Sequence, residues 1–250
     1  MSFSYDRVWA DMLAMIRASG ALLATLAGVF MFLPSLAMWM YAPMPAPPNG
    51  GESNEGVRFL LDYYRGNWPL LLLVNIISTF GQVAILTLLL DRDRPTVGEA
   101  LGASARLLPM YFVMTIITNF ALVAGLFLFL VPGIYLLGRL ILAGPVMVGD
   151  GIANPVDAIQ RSWTYSKGLG WRIAGLVMLI GIVAWIALSA ASSVLSVVAG
   201  LLLPEGAGAV AKAFADAFAG GALALLIAVL TAAVYRQLRG GNVPLQNIFS

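Results

Sequence analysis

The chain has 250 residues, of which 60% are hydrophobic and only 10% charged, and its mean hydropathy is +0.90. A soluble domain carries roughly 25% charged residues, so a water-soluble fold has too little polar surface to cover this composition. The net charge of +2 is scattered among acids and offers nucleic acid no basic patch.

The absence of cysteine and histidine removes disulfides, thiolate nucleophiles, imidazole bases and the commonest zinc and haem ligands. No glycine-rich phosphate loop stands between a strand and a helix, because Gly50-Gly51 falls in a proline-rich loop. The expectation is a non-enzymatic protein with no cofactor and no metal.

At the amino terminus Arg7 and Arg17 precede an apolar run, and Ser35-Leu36-Ala37 loosely fits a signal cleavage site. The run from Ala18 to Tyr41 is longer than the roughly 7–15 residues of a signal's apolar region, so it reads as a retained span. Stretches long enough to cross a bilayer fall near 19–41, 68–90, 109–131, 133–149, 171–203 and 217–235. The fold class is therefore all-α, a polytopic bundle of about six transmembrane helices. It reads as a single domain over 1–240, with a flexible tail at 241–250.

Spans three and four are separated only by Val131-Pro132-Gly133, which predicts a tight hairpin turning at Pro132 and Gly133. Two full crossings and one re-entrant hairpin both fit the sequence there. With six spans, ten of the 14 basic residues fall on the side of both termini, and only Arg58, Arg65 and Lys212 on the other. The positive-inside rule then puts both ends in the cytoplasm of a bacterial inner membrane. The outer loop from Ala42 to Asn67 begins proline-rich and continues with Val57, Leu60, Leu61 and Tyr64 at helical spacing, a short surface helix. It is read as a connector, with a partner-binding loop as the alternative.

Three cytoplasmic segments share one design. Tyr5, Val8, Trp9, Met12, Leu13 and Ile16 form an apolar stripe, with Arg17 beyond it. Val97, Ala100, Leu101, Ser104, Ala105 and Leu108 repeat the spacing beside Glu99 and Arg106, and Pro155, Ala158, Ile159, Ser162, Trp163 and Ser166 repeat it beside Asp157, Arg161 and Lys167. Ser4, Thr96 and Asn154 are the expected caps, with a capping box at Thr96–Glu99. These segments predict amphipathic helices at the cytoplasmic interface. They suggest a threefold internal repeat with units near 4–90, 96–149 and 154–238, although any loop joining apolar spans tends to be amphipathic.

Arg139, in PGIYLLGRLILAGP, lies about 10 Å of helical rise past Gly133 among apolar residues. That predicts a mid-membrane arginine, which must find acceptors. No carboxylate falls inside any predicted span, leaving carbonyls, Asn75, Gln82, Asn119, the span-end Asp150 or a lipid phosphate. Arg139 is then either an anchor for lipid phosphate or another anion, or an interhelical clamp. Ser189, Ser192, Ser193, Ser196 and Gly200 form a small-residue stripe suited to close helix packing. Asp91-Arg92-Asp93-Arg94 reads as a solvated turn.

Pro132-Gly133, Arg139, Pro145, Ala158 through Ser162 and Lys167-Gly168, within 132–148 and 154–173, are the basis of a resemblance. The chain resembles the YciC-type bacterial inner-membrane family, related to the membrane domain fused to some glycerophosphodiester phosphodiesterases. The resemblance implies a multi-pass inner-membrane protein. It implies no catalysis, since the phosphodiesterase chemistry belongs to a separate soluble barrel. Two readings of function follow: a protein that binds membrane lipids, among them anionic phospholipid, or a membrane-protein partner in envelope or lipid homeostasis; or a small permease with a cavity near Arg139.

Overall fold

The computed structural model describes residues 3–43, 53–91 and 95–241, and within them all regular structure is helical. The proline-rich stretch 44–52, Arg92 to Arg94 and the tail from 242 lie outside the described residues. Helix α1 (Tyr5–Ala27) passes through a π-helical turn (Gly28–Phe32) into α2 (Leu33–Tyr41), and α3 (Ser53–Leu90) follows. Helix α4 (Val97–Leu128) turns back into α5 (Leu130–Leu140) and α6 (Ala143–Gly149). A short α7 (Pro155–Tyr165) leads into the long hairpin of α8 (Gly170–Leu202) and α9 (Glu205–Gly241).

Six segments are long and apolar enough to cross a membrane, and the chain is an all-α, multi-pass membrane protein. In contrast to the expected separate interfacial helices, the amphipathic segments at 5–16, 55–64 and 97–108 continue unbroken into the spans that follow them. Pro69 and Pro109, at the expected boundaries, lie inside α3 and α4. A proline removes one backbone hydrogen bond, whereas unwinding the helix in lipid would strand several. Of the three repeated amphipathic segments, α7 alone stands as a helix separate from a span.

The caps formed where the side chains allow it. Thr96 and Glu99 close a reciprocal capping box, with the Thr96 backbone N–H donating to Glu99 Oε2 at 2.8 Å, and Asn154 Oδ1 accepts from the Val156 N–H at 3.0 Å. Ser4 occupies its cap position without a side-chain bond.

The hairpin after α4 turns at Phe129, whose extended backbone separates α4 from α5, and not at Pro132-Gly133. Pro132 falls in the first turn of α5, where its missing N–H costs nothing. Gly133 instead permits helix contact, since a Cβ there would meet Leu126 Cδ2 at 2.4 Å. Helix α5 has 11 residues, roughly 16 Å of rise, so the fourth span reaches membrane length only by adding α6 across the break at Ile141-Leu142.

Helix α9 is the hub. It packs against α1, α2, the π-helical turn, α3, α6 and α8, and Ala228 through Tyr235 are all buried. Close approach depends on glycines: a Cβ at Gly221 would lie 3.4 Å from Phe32 N, and one at Gly81 only 2.3 Å from Phe30 Cβ. Of the small-residue stripe, Ser192 is buried and bonds Asp216 of α9 and Gly200 is approached by Gly208, whereas Ser193 is exposed, so part of the stripe serves α8–α9 packing.

Exposed tryptophans and tyrosines, apart from Trp185 in the middle of α8, group toward the ends of the bundle. Trp9, Trp163 and Trp171 lie at the end carrying most basic residues, and Trp39, Tyr41, Tyr64 and Trp68 at the other, the arrangement expected of two membrane interfaces. Along α3, Trp68 and Leu90 are separated by roughly 33 Å of rise, close to a bilayer's hydrocarbon thickness.

Candidate functional site

The four proposed ligand residues separate into three places. Arg139 closes the last turn of α5, where Gly138 lies directly on Gly170: a Cβ at Gly138 would come within 2.0 Å of the Gly170 carbonyl oxygen. That contact puts Arg139 beside the first residue of α8, two residues from Arg172. Arg139 is also the tenth residue of the 20-residue apolar segment Leu130–Gly149, roughly 15 Å of rise past the turn at Phe129.

The Arg139 side chain is 4% exposed. Its guanidinium carbon stands 4.3 Å from the Trp163 ring centroid and 5.6 Å from that of Tyr135, within reach of cation–π attraction. Nη1 donates to Ser166 Oγ at 3.4 Å, and Nε has no partner. The Ser162 hydroxyl donates to the Arg139 backbone carbonyl at 2.6 Å. Asn75, Gln82, Asn119 and Asp150 make no bond to it. This geometry is a clamp between α5 and α7, sealed by aromatic rings.

Asp150 follows α6 and gathers three elements. Its Oδ1 accepts from Tyr235 Oη at 2.7 Å and its Oδ2 from Tyr165 Oη at 2.9 Å. Arg161 pairs with it at 3.5 Å and Arg239 at 3.6 Å, while Arg239 also donates to the Gly149 carbonyl at 2.7 Å. Burial, and then the bond to Asp150, push the Tyr165 phenol above its ordinary pKa. A carboxylate so enclosed ties α6 and α7 to α9, and it is turned away from any incoming anion.

The amphipathic stripes divide between two faces. Val8 and Met12, with Ala100, Ser104, Ala158 and Ser162, are buried within the protein, and α4 packs on α7. Tyr5, Trp9, Ile16 and Trp163 remain exposed, as do Arg17, Glu99, Arg106, Asp157, Arg161 and Lys167.

Among the described residues two cavities lie between the spans, besides one of 330 Å³ at α7 lined by Asp157, Gln160 and Arg161. The larger, 840 Å³, opens between α1, α3 and α9, with Arg236, Arg239 and Asp91 among its polar lining and Met15, Leu22, Leu88 and Leu89 among its walls. Arg236 is exposed and has no partner among the described residues. Sequence reasoning used these arginines only to orient the chain; their spacing of three on the last turns of α9 was the signal that they share a face. The second cavity, 300 Å³, brings Gln82 and Asn119 together with Thr115, Thr118 and Thr231.

Another carboxylate enters a helix where none was expected. Asp216 lies within α9, accepting from Ser192 and pairing with Lys212, whose ammonium also stands 5.3 Å from the Trp39 ring centroid. It lies roughly 30 Å of rise from Arg236, at the level of the opposite interface, where a paired charge is tolerated.

The fold and these sites define a polytopic helical membrane protein whose charges gather near the two ends of the bundle. No family model matches the chain, and no solved structure matches it.

Proposed function

We propose that this is a non-enzymatic protein of a bacterial inner membrane, with both termini in the cytoplasm, that holds an anionic phospholipid in the cavity between α1, α3 and α9. The observation that carries the reading is the placing of an exposed Arg236, with no hydrogen bond or ion pair to the described residues, beside apolar walls. A guanidinium at the mouth suits a lipid phosphate, and Leu22, Leu88 and Leu89 suit an acyl chain. The excess of basic residues at this end supports a cytoplasmic orientation, and the exposed Trp9 and Trp163 support placing it at the interface. The non-enzymatic reading rests on a chain without histidine or cysteine. The resemblance of 132–173 to YciC-type inner-membrane proteins accords with a role in envelope or lipid homeostasis.

A permease built around Arg139 ranks second, because that arginine lines neither of the two cavities. Native mass spectrometry of protein extracted in mild detergent tests the proposal. The wild type should retain phosphatidylglycerol or cardiolipin, and Arg236→Gln should retain about fivefold less, the effect of one basic residue at an anionic surface. Equal retention by both proteins would overturn the phospholipid reading.

A further inference from the structure

We infer that the smaller cavity, between α3, α4, the α5–α6 segment and α9, is a site for a neutral lipid of the diacylglycerol class, entered sideways from the bilayer. Its 300 Å³ is lined by two amides, Gln82 and Asn119, by the hydroxyls of Thr115, Thr118 and Thr231, and by Tyr111. Among the described residues no acid or base lines it, so a phosphate would find no counter-charge there. That separates it from the arginine-rimmed cavity at the basic end.

The three threonines have their protons committed. Each hydroxyl donates to a carbonyl of its own helix at 2.9 Å: Thr115 to Tyr111, Thr118 to Met114 and Thr231 to Ile227. Toward the cavity they therefore present lone pairs. Among the described residues the side-chain amides of Gln82 and Asn119 have no hydrogen-bond partner, so each offers both N–H donors and a carbonyl acceptor. Unpaired amides are costly in hydrocarbon surroundings. A ligand that brings ester carbonyls for the amide N–H groups and a hydroxyl for the acceptors satisfies both at once.

Depth and access select the ligand's shape. Thr231 precedes Arg236 by five residues, roughly 8 Å of rise. If Arg236 stands at the phosphate level, the cavity lies where glycerol esters and the first acyl carbons reside. Asn119 is exposed and shares a helix face with Ile116, three residues before it, and Val123, four after it. These are 54% and 63% exposed, and Phe120 is 77% exposed. An amide standing on a lipid-facing stripe marks a lateral mouth, with the stripe beyond it as a track for acyl chains.

The test is photo-crosslinking of the full-length protein in nanodiscs with a diacylglycerol carrying a diazirine near its glycerol end, with adducts mapped by mass spectrometry. Adducts are expected within 115–122 and 137–145, saturable and displaced by unlabelled dioleoylglycerol but not by dioleoyl phosphatidic acid or glycerol. The double variant Gln82→Leu, Asn119→Leu should lower the adduct about tenfold without lowering the thermal midpoint, because it replaces unpaired amides with apolar groups. Should that variant fail to fold, Asn119→Leu alone should lower it about threefold. Arg236→Gln should leave labelling unchanged, which separates this site from the phospholipid cavity. Labelling that does not saturate, or that survives the leucine substitutions, overturns the inference. Equal displacement by phosphatidic acid overturns the neutral class, and displacement by glycerol alone reassigns the cavity to a small polar solute.

Discussion

Arg139 shows how a buried cation is accommodated without a carboxylate. Its guanidinium lies over Trp163 and near Tyr135, and Ser166 supplies a single acceptor. A desolvated cation–π contact is worth about 2 kcal/mol, and the hydrogen bond adds about 1 kcal/mol. Arg139→Leu is expected to lower the thermal midpoint in detergent by about 6–10 °C while leaving co-purifying phospholipid unchanged. Lost phospholipid with an unchanged midpoint would instead make Arg139 a headgroup anchor. Arg139→Lys should restore little of the loss, because an ammonium cannot stack its plane on the indole. From the sequence, the need for a partner was legible and the partner was not. Trp163 and Ser166 lie 24 and 27 positions away, and only the fold of α6 and α7 brings them back.

At the scale of elements, the decisive contacts are those of helices without intervening side chains. Gly138 on Gly170 is the tightest in the α5–α8 pair, and a methyl at Gly138 has only a backbone carbonyl to displace. Gly138→Ala should therefore destabilise by at least about 2 kcal/mol, read as a lower midpoint. Gly175→Ala, where a Cβ meets nothing within 4 Å, should leave the midpoint unchanged or raise it. An unaffected midpoint in Gly138→Ala would show that the two helices sit further apart. The same scale explains the continuous helices. Amphipathic periodicity at 97–108 and apolarity at 109–128 were both readable, yet no local signal joined them across Pro109. The cost of unwinding backbone in lipid did so.

For the whole molecule, the testable property is orientation. The chain has no cysteine, so single cysteines can be introduced without removing native ones. Gln160→Cys, on the exposed face of α7, should react with a membrane-impermeant maleimide only after the inner membrane is opened. Gly206→Cys, at the start of α9, should react in intact spheroplasts. The reverse pattern would invert the topology, and labelling of both from one side would break the six-span count. The asymmetry of arginine and lysine that supports this orientation is a property of sequence alone, since it depends only on which connections carry charge.

Composition, apolar length and charge asymmetry by themselves determined that this is a helical membrane protein, because lipid leaves the backbone few choices and each leaves a local trace. Helix starts at Thr96 and Asn154 were equally local, since a cap bonds within three residues. The centrality of α9 was not legible in its apolarity, since α8 is more apolar and yet more exposed. Tertiary structure decided the partners of Arg139, the enclosure of Asp150 by Tyr165, Tyr235, Arg161 and Arg239, and the meeting of Gln82 with Asn119. Each depends on where a helix turns and which neighbour it meets, and sequence spacing carries no record of contacts between residues far apart along the chain.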